Sequence, residues 1–74
     1  MSSLSPIKAR KLINVLKKLG FVKKRQKGSH VFFEHPDGRV TSVPFHSAKE
    51  IGKGLLRAIF DQIKLSPKEF KKHI

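Results

Sequence analysis

Apolar residues recur at three- and four-residue spacing early in the chain, at Ala9, Leu12, Ile13, Leu16 and Leu19. This period predicts a helix with one face turned to a core. Ser5 followed by Pro6 is the expected start, with serine as N-cap and proline at the first helical position, and Gly20 is the expected stop. The pattern then shortens. Phe21 to Gln26 predicts a first strand, and the β-branched and aromatic residues between His30 and His35 predict a second. Gly28 offers a backbone free to take positive φ before that strand. After it, proline presets φ at Pro36, Asp37 caps its own turn and Gly38 takes the left-handed position, so a third strand from Arg39 to Pro44 must return antiparallel. Phe45 to Glu50 lacks clear periodicity, and Gly52, Lys53 and Gly54 predict a loop or a tight helix entry. Leu55, Leu56, Ile59, Phe60 and Ile63 mark one face of a second helix running to Lys64. Ser66, Pro67 and Glu69 predict a capping box for a short terminal helix through Phe70.

This order, α-β-β-β-α plus a short C-terminal helix, predicts an α+β domain of two layers. A three-stranded antiparallel sheet carries two helices on one face. Within the second strand, alternation separates His30, Phe32 and Glu34 from Val31, Phe33 and His35. The first set is the more polar, so Val31 and Phe33 are expected to point inward. Residues 1–74 make one domain, and a chain of this size buries only about 60 to 65% of its extended surface. It has no cysteine, which removes disulfides and thiolate zinc sites as supports for a small core.

Charge changes the picture most. Seventeen Lys and Arg oppose five Asp and Glu, a formal net charge of +12, and no acid precedes Glu34. Self-repulsion of this kind points to a polyanionic partner rather than a solubilising coat. Nucleic acid ranks first, an acidic protein second and an anionic membrane surface third. No segment approaches the roughly 20 apolar residues of a membrane span, so a soluble protein of the cytoplasm is expected.

His30 opens a stiff hairpin, with Lys23, Lys24, Arg25 and Lys27 just before it. An imidazole there serves either as a hydrogen-bonded structural residue or as a functional group. Ser29 reads as a turn residue, since no acid and base pair supports a serine triad. His35, His46 and His73 lack metal-ligand spacing, and no metal or cofactor is expected. Glu34 and Glu50 read as surface or helix-entry residues.

Three stretches together resemble the HicA family of bacterial and archaeal toxins. They are Gly28, Ser29, His30; the turn His35, Pro36, Asp37, Gly38, Arg39; and Val43, Pro44, His46, Lys49, Glu50, Gly54, Leu55, Leu56, Ile59. The resemblance runs from about Ile7 to Phe70, and departs from the pattern only around Gly52 and Lys53. It implies a fold like a double-stranded RNA-binding domain and a metal-independent mRNA interferase, with His30 as the catalytic residue. It also implies neutralisation by a HicB-type antitoxin, expected to be acidic and to cover His30, and a toxin that is monomeric when free. RNA supplies its own nucleophile, the 2′-hydroxyl, so a histidine with an ordinary pKa of about 6.5 suffices as base. Lys23, Lys24, Arg25, Lys27, Gly28, Ser29, Arg39, Lys49 and Lys53 are the expected RNA-binding positions. The alternative is a module that grips duplex RNA and does no chemistry.

Overall fold

A computed structural model describes residues 5–45 and 50–73. Its elements run β1 (Ile7–Lys8), α1 (Ala9–Lys18), β2 (Val22–Lys27), β3 (His30–Glu34), β4 (Val40–Pro44), β5 (Glu50–Ile51), α2 (Lys53–Ile63) and α3 (Pro67–Lys71). The main sheet is antiparallel with order β2-β3-β4, and the short β1 and β5 pair separately, Ile7 opposite Ile51. The expected two-layer α+β arrangement holds. Leu12, Val15 and Leu16 of α1 and Leu56, Ile59, Phe60 and Ile63 of α2 share one core with Val31, Phe33 and Val43 of the sheet. Val31 and Phe33 point inward, as their alternation predicts. Among the described residues no helix is long and apolar enough to cross a membrane.

Several local expectations are corrected. The first helix begins at Ala9, not beside Ser5, and Lys8 stands at its N-cap with no side-chain hydrogen bond. Ile7 is the reason: a β-branched residue, partly buried against the core, it pairs in extended form with Ile51 and takes the chain out of helix. Phe21 closes α1 rather than opening a strand. Its N–H donates to the Leu16 carbonyl at 2.9 Å, and that of Gly20 to Lys17 at 3.1 Å, with Gly20 at φ +103°. This pair of bonds is a Schellman cap, and it packs Phe21 against the core beside Leu16. The second helix starts two residues early, its first turn closed by the Leu56 N–H to the Gly52 carbonyl, and Leu55 is exposed. It stops at Lys64, which is left-handed at φ 55°. Ser66 caps α3 as expected, accepting from the Glu69 N–H at 3.1 Å.

The turn after β3 has the expected chemistry and a further use. The Gly38 N–H donates to the His35 carbonyl, and the His35 N–H to that of Arg39, closing a three-residue loop with Gly38 at φ +98°. The His35 ring then reaches back to helix α1. Its Nε2 lies 3.1 Å from the Leu19 carbonyl, which can only accept, and its edge meets the Phe21 ring at 5.1 Å between centroids. Turn and helix end are thereby clasped together. A side chain at Gly20 would collide with this clasp, since a Cβ there falls 2.9 Å from His35 Nε2 on a backbone that disfavours any Cβ. Gly54, by contrast, lies in a helix with open space around it.

The two glycines should therefore respond with opposite sign. Gly20→Ala is expected to cost about 1 to 3 kcal/mol of stability, whereas Gly54→Ala should stabilise by about 0.5 to 1 kcal/mol. Urea midpoints of the two variants against the parent measure both. Equal shifts would mean that Gly20 is not held by His35.

Candidate nucleic-acid interface

His30 is exposed, the first residue of β3, and sits in the sheet between Lys27 of β2 and Pro44 of β4. The tight turn before it contains only Gly28 and Ser29. Gly28 takes the first turn position at φ +59°, which joins two twisted strands without splaying them. Two further bonds stiffen this corner. The Gln26 side chain donates to the Gly28 carbonyl at 3.1 Å and itself accepts from Lys23 Nζ at 3.1 Å. The Phe45 N–H donates to the Ser29 carbonyl at 2.6 Å, tying the turn to the end of β4. The imidazole is thus presented to solvent on a backbone braced from both sides.

Residues facing each other across antiparallel strands share a face. The face opposite the helices therefore carries Lys27, His30 and Pro44 in one row, Arg25, Phe32 and Ser42 in the next, and Val22, Glu34 and Val40 in a third. The pairing shifts between Lys23 and Arg25, leaving Lys24 at a bulge. Arg25 lays its guanidinium over the Phe32 ring, 4.6 Å from the centroid. Beside this pair lies a cleft of about 420 Å³ lined by Lys24, Arg25, Phe32, Glu34, Val40 and Ser42 among others. A second cleft of about 420 Å³ lies at the start of α1, where Lys8, Arg10, Lys11 and Asn14 meet Phe45. Phe45 is the residue bonded to Ser29, so this cationic cleft adjoins the His30 corner.

The structure brings Arg25, Lys27, Gly28 and the half-buried Ser29 to the His30 corner and the row next to it, whereas Lys24, at the bulge, lines the cleft with Glu34 further along the sheet. Lys23 is on the same strand with its ammonium directed to Gln26. Lys53 begins α2 and is exposed, and Lys49 and His46 lie outside the described residues. Arg39 departs from the expectation that it binds phosphate. Its Nε donates to Asp37 at 2.8 Å, another guanidinium nitrogen donates to the Ile63 carbonyl, and its plane lies over Phe21 at 5.2 Å. Arg39 follows the turn at the opposite end of β3 from His30, about 13 Å away at the rise of a strand. Its cation is used to lock that end to both helices. Phe32, which the expected positions omit, was legible from period two: once Val31 and Phe33 face the core, Phe32 must share the face of His30.

A family model described as the HicA toxin of bacterial toxin-antitoxin matches residues 9–65, more than half of the chain. No curated protein matches it.

The matched stretch includes the clasp, whose one carboxylate is sensitive to acid. The Arg39 backbone N–H, donating to Asp37 Oδ1 at 3.0 Å, is the main cause holding the Asp37 carboxyl below its ordinary value of 3.8. Desolvation, the next largest effect, opposes this, and the Arg39 guanidinium and, more weakly, His35 add to the lowering. A carboxyl depressed in the folded state contributes stability above its unfolded value, and that contribution fades as the pH falls through the folded one. Asp37→Asn should lower the melting temperature at neutral pH. The gap between parent and variant should close as the pH drops below 3.8. A gap that is constant with pH would show that the charge of Asp37 does not support the clasp.

Proposed function

Since the chain belongs to the HicA toxin family, the toxin half of bacterial toxin-antitoxin pairs, we propose that it is a metal-independent endoribonuclease that cuts mRNA through His30. The observation that carries this reading is the exposed imidazole of His30, carried on a backbone that a braced two-residue turn holds, beside Lys27 and the Arg25 row of one open face. A base for RNA cleavage needs that combination of access, rigidity and nearby cations. A flexible imidazole would lose the advantage of positioning, and a buried one would never meet a ribose.

Each step balances with groups at hand. The neutral imidazole takes the proton of a ribose 2′-hydroxyl, and the freed oxygen attacks the adjacent phosphorus. The bond from phosphorus to the 5′ oxygen breaks, water protonates the departing oxygen, and the imidazolium returns its proton to the hydroxide that remains. The products are a 2′,3′-cyclic phosphate and a 5′-hydroxyl. Lys27 stands opposite His30 in the sheet, where its ammonium can offset the charge that builds on the phosphorane oxygens. Among the described residues no group of three His, Cys, Asp or Glu side chains is placed to hold a metal ion. The lysines and arginine of the α1 cleft would hold flanking phosphates. A cognate antitoxin of acidic character would neutralise the toxin by covering His30 and these cations, most simply in the cytoplasm where mRNA is exposed.

Incubation of the protein with RNA in the presence of a chelator should yield fragments ending in cyclic phosphate. A 2′-deoxy substitution at the cut should abolish cleavage there. His30→Ala should reduce the rate by about 10²- to 10⁴-fold while leaving RNA binding and melting temperature near the parent's. Binding without cleavage by the parent would favour the duplex-gripping module, and undiminished cleavage by the variant would remove His30 from the chemistry.

A further inference from the structure

We propose that the open sheet face next to His30 is a nucleobase subsite, in which Phe32 and Arg25 stack the base beside the scissile phosphate, so that the substrate is bound as a single strand. This rests on the endoribonuclease reading and extends it to the form of the RNA. Phe32 lies two residues along β3 from His30 on the same face, about 6.6 Å away. That is about one nucleotide step along an extended strand. Its ring is half-buried in the sheet, with Arg25 over it. An aromatic ring and a guanidinium plane are the two surfaces on which unpaired bases stack, and sheet-borne aromatics serve this purpose in single-strand binding.

The distribution of charge along the face gives the strand its orientation. Lys27 lies opposite His30, where a phosphate must sit for the chemistry, and Arg25 lies opposite Phe32 in the next row. Glu34 occupies the far row between Val22 and Val40, both more than half exposed, and forms no ion pair among the described residues. A carboxylate repels phosphate but accepts hydrogen bonds from the amino groups of bases. The cleft of about 420 Å³ between Phe32, Glu34 and Ser42 has room for a base. Backbone to the cations and base to the aromatic is the arrangement that fits. The chemistry favours it too, because in-line attack by a 2′-oxygen needs a nucleotide free to leave helical geometry.

The test uses a short single-stranded RNA carrying the fluorescent base 2-aminopurine, titrated into the full-length His30→Ala protein so that binding is read without cleavage. Stacking should quench the fluorescence. Adding Phe32→Leu, which keeps apolar volume in the sheet, should remove most of the quench and weaken binding several-fold, whereas Phe32→Tyr should restore both. In the cleaving parent background, Phe32→Leu should raise KM more than it lowers kcat, and the same RNA annealed to its complement should be a poor substrate. Quenching and KM unchanged in Phe32→Leu, with the melting temperature preserved, would overturn the subsite while leaving the nuclease reading intact. So would equal cleavage of the annealed duplex. If RNA is bound with quenching but never cut, the nuclease reading falls and the stacking subsite stands.

Discussion

A strand sends alternate side chains to opposite faces, and in β3 this leaves no freedom. Burying Val31 and Phe33 beneath two helices commits His30, Phe32 and Glu34 to the open side. The two buried side chains are worth about 1.5 to 3 kcal/mol each in removal from water, so a slip of one residue would cost several kcal/mol. A domain this small has little stability to spare. The same burial that holds the sheet together therefore holds the imidazole outside. It also sets Arg25 and Lys27 beside it, because cross-strand partners must share its face.

The two ends of the sheet are specialised differently. At one end His35, Asp37 and Arg39 are taken up by one another, by Phe21 and by the carbonyl groups of Leu19, the C-cap of α1, and Ile63, the last residue of α2. The turn there is a clasp between three elements. The His35 ring is held at both nitrogens: Nε2 must donate to the Leu19 carbonyl, and Nδ1 lies 3.1 Å from both the backbone nitrogen and Oδ1 of Asp37. At the other end, among the described residues, the polar side chains make few bonds beyond those that brace the turn, and His30 and Lys27 are exposed. Two histidines of one hairpin thus stand at opposite ends, one bonded into the structure and one exposed to solvent.

Much of this was legible in the residues. The helical periods, the Gly28 and Gly38 turns and the inward choice of Val31 and Phe33 each follow from local rules that the tertiary structure reinforces. The failures have a common cause in long-range contact. Ser5 and Pro6 form a sound local start signal, but Ile7 finds a partner in Ile51, more than forty residues away, and the helix begins later. Nothing in the sequence near Ile7 announces that pairing. The engagement of Arg39 has the same kind of long-range origin. Its charge suggested phosphate, and only the fold reveals that the end of α2 delivers the Ile63 carbonyl to it. For the site, His30 and its turn could be read from the sequence. Which cations accompany it depends on register, and the bulge at Lys24 shifts that register midway along β2.

A domain shaped like a double-stranded RNA-binding module raises the question of which surface meets RNA. Contacts across a duplex would fall on the start of α1, the β2–β3 turn and the start of α2, where Lys8, Arg10, Lys11 and Lys53 lie. The open sheet face is not needed for that, and on a purely duplex-binding domain its exposed Val22 and Val40 and half-buried Phe32 would have no use. His30 lies where the two surfaces meet, since its turn borders the α1 cleft through Phe45 while its side chain points to the open face. In the proposed reading, cations that hold a backbone and an aromatic face that stacks a base would act on one strand at once. Their boundary at His30 is where a 2′-oxygen released from helical geometry would meet a base to take its proton.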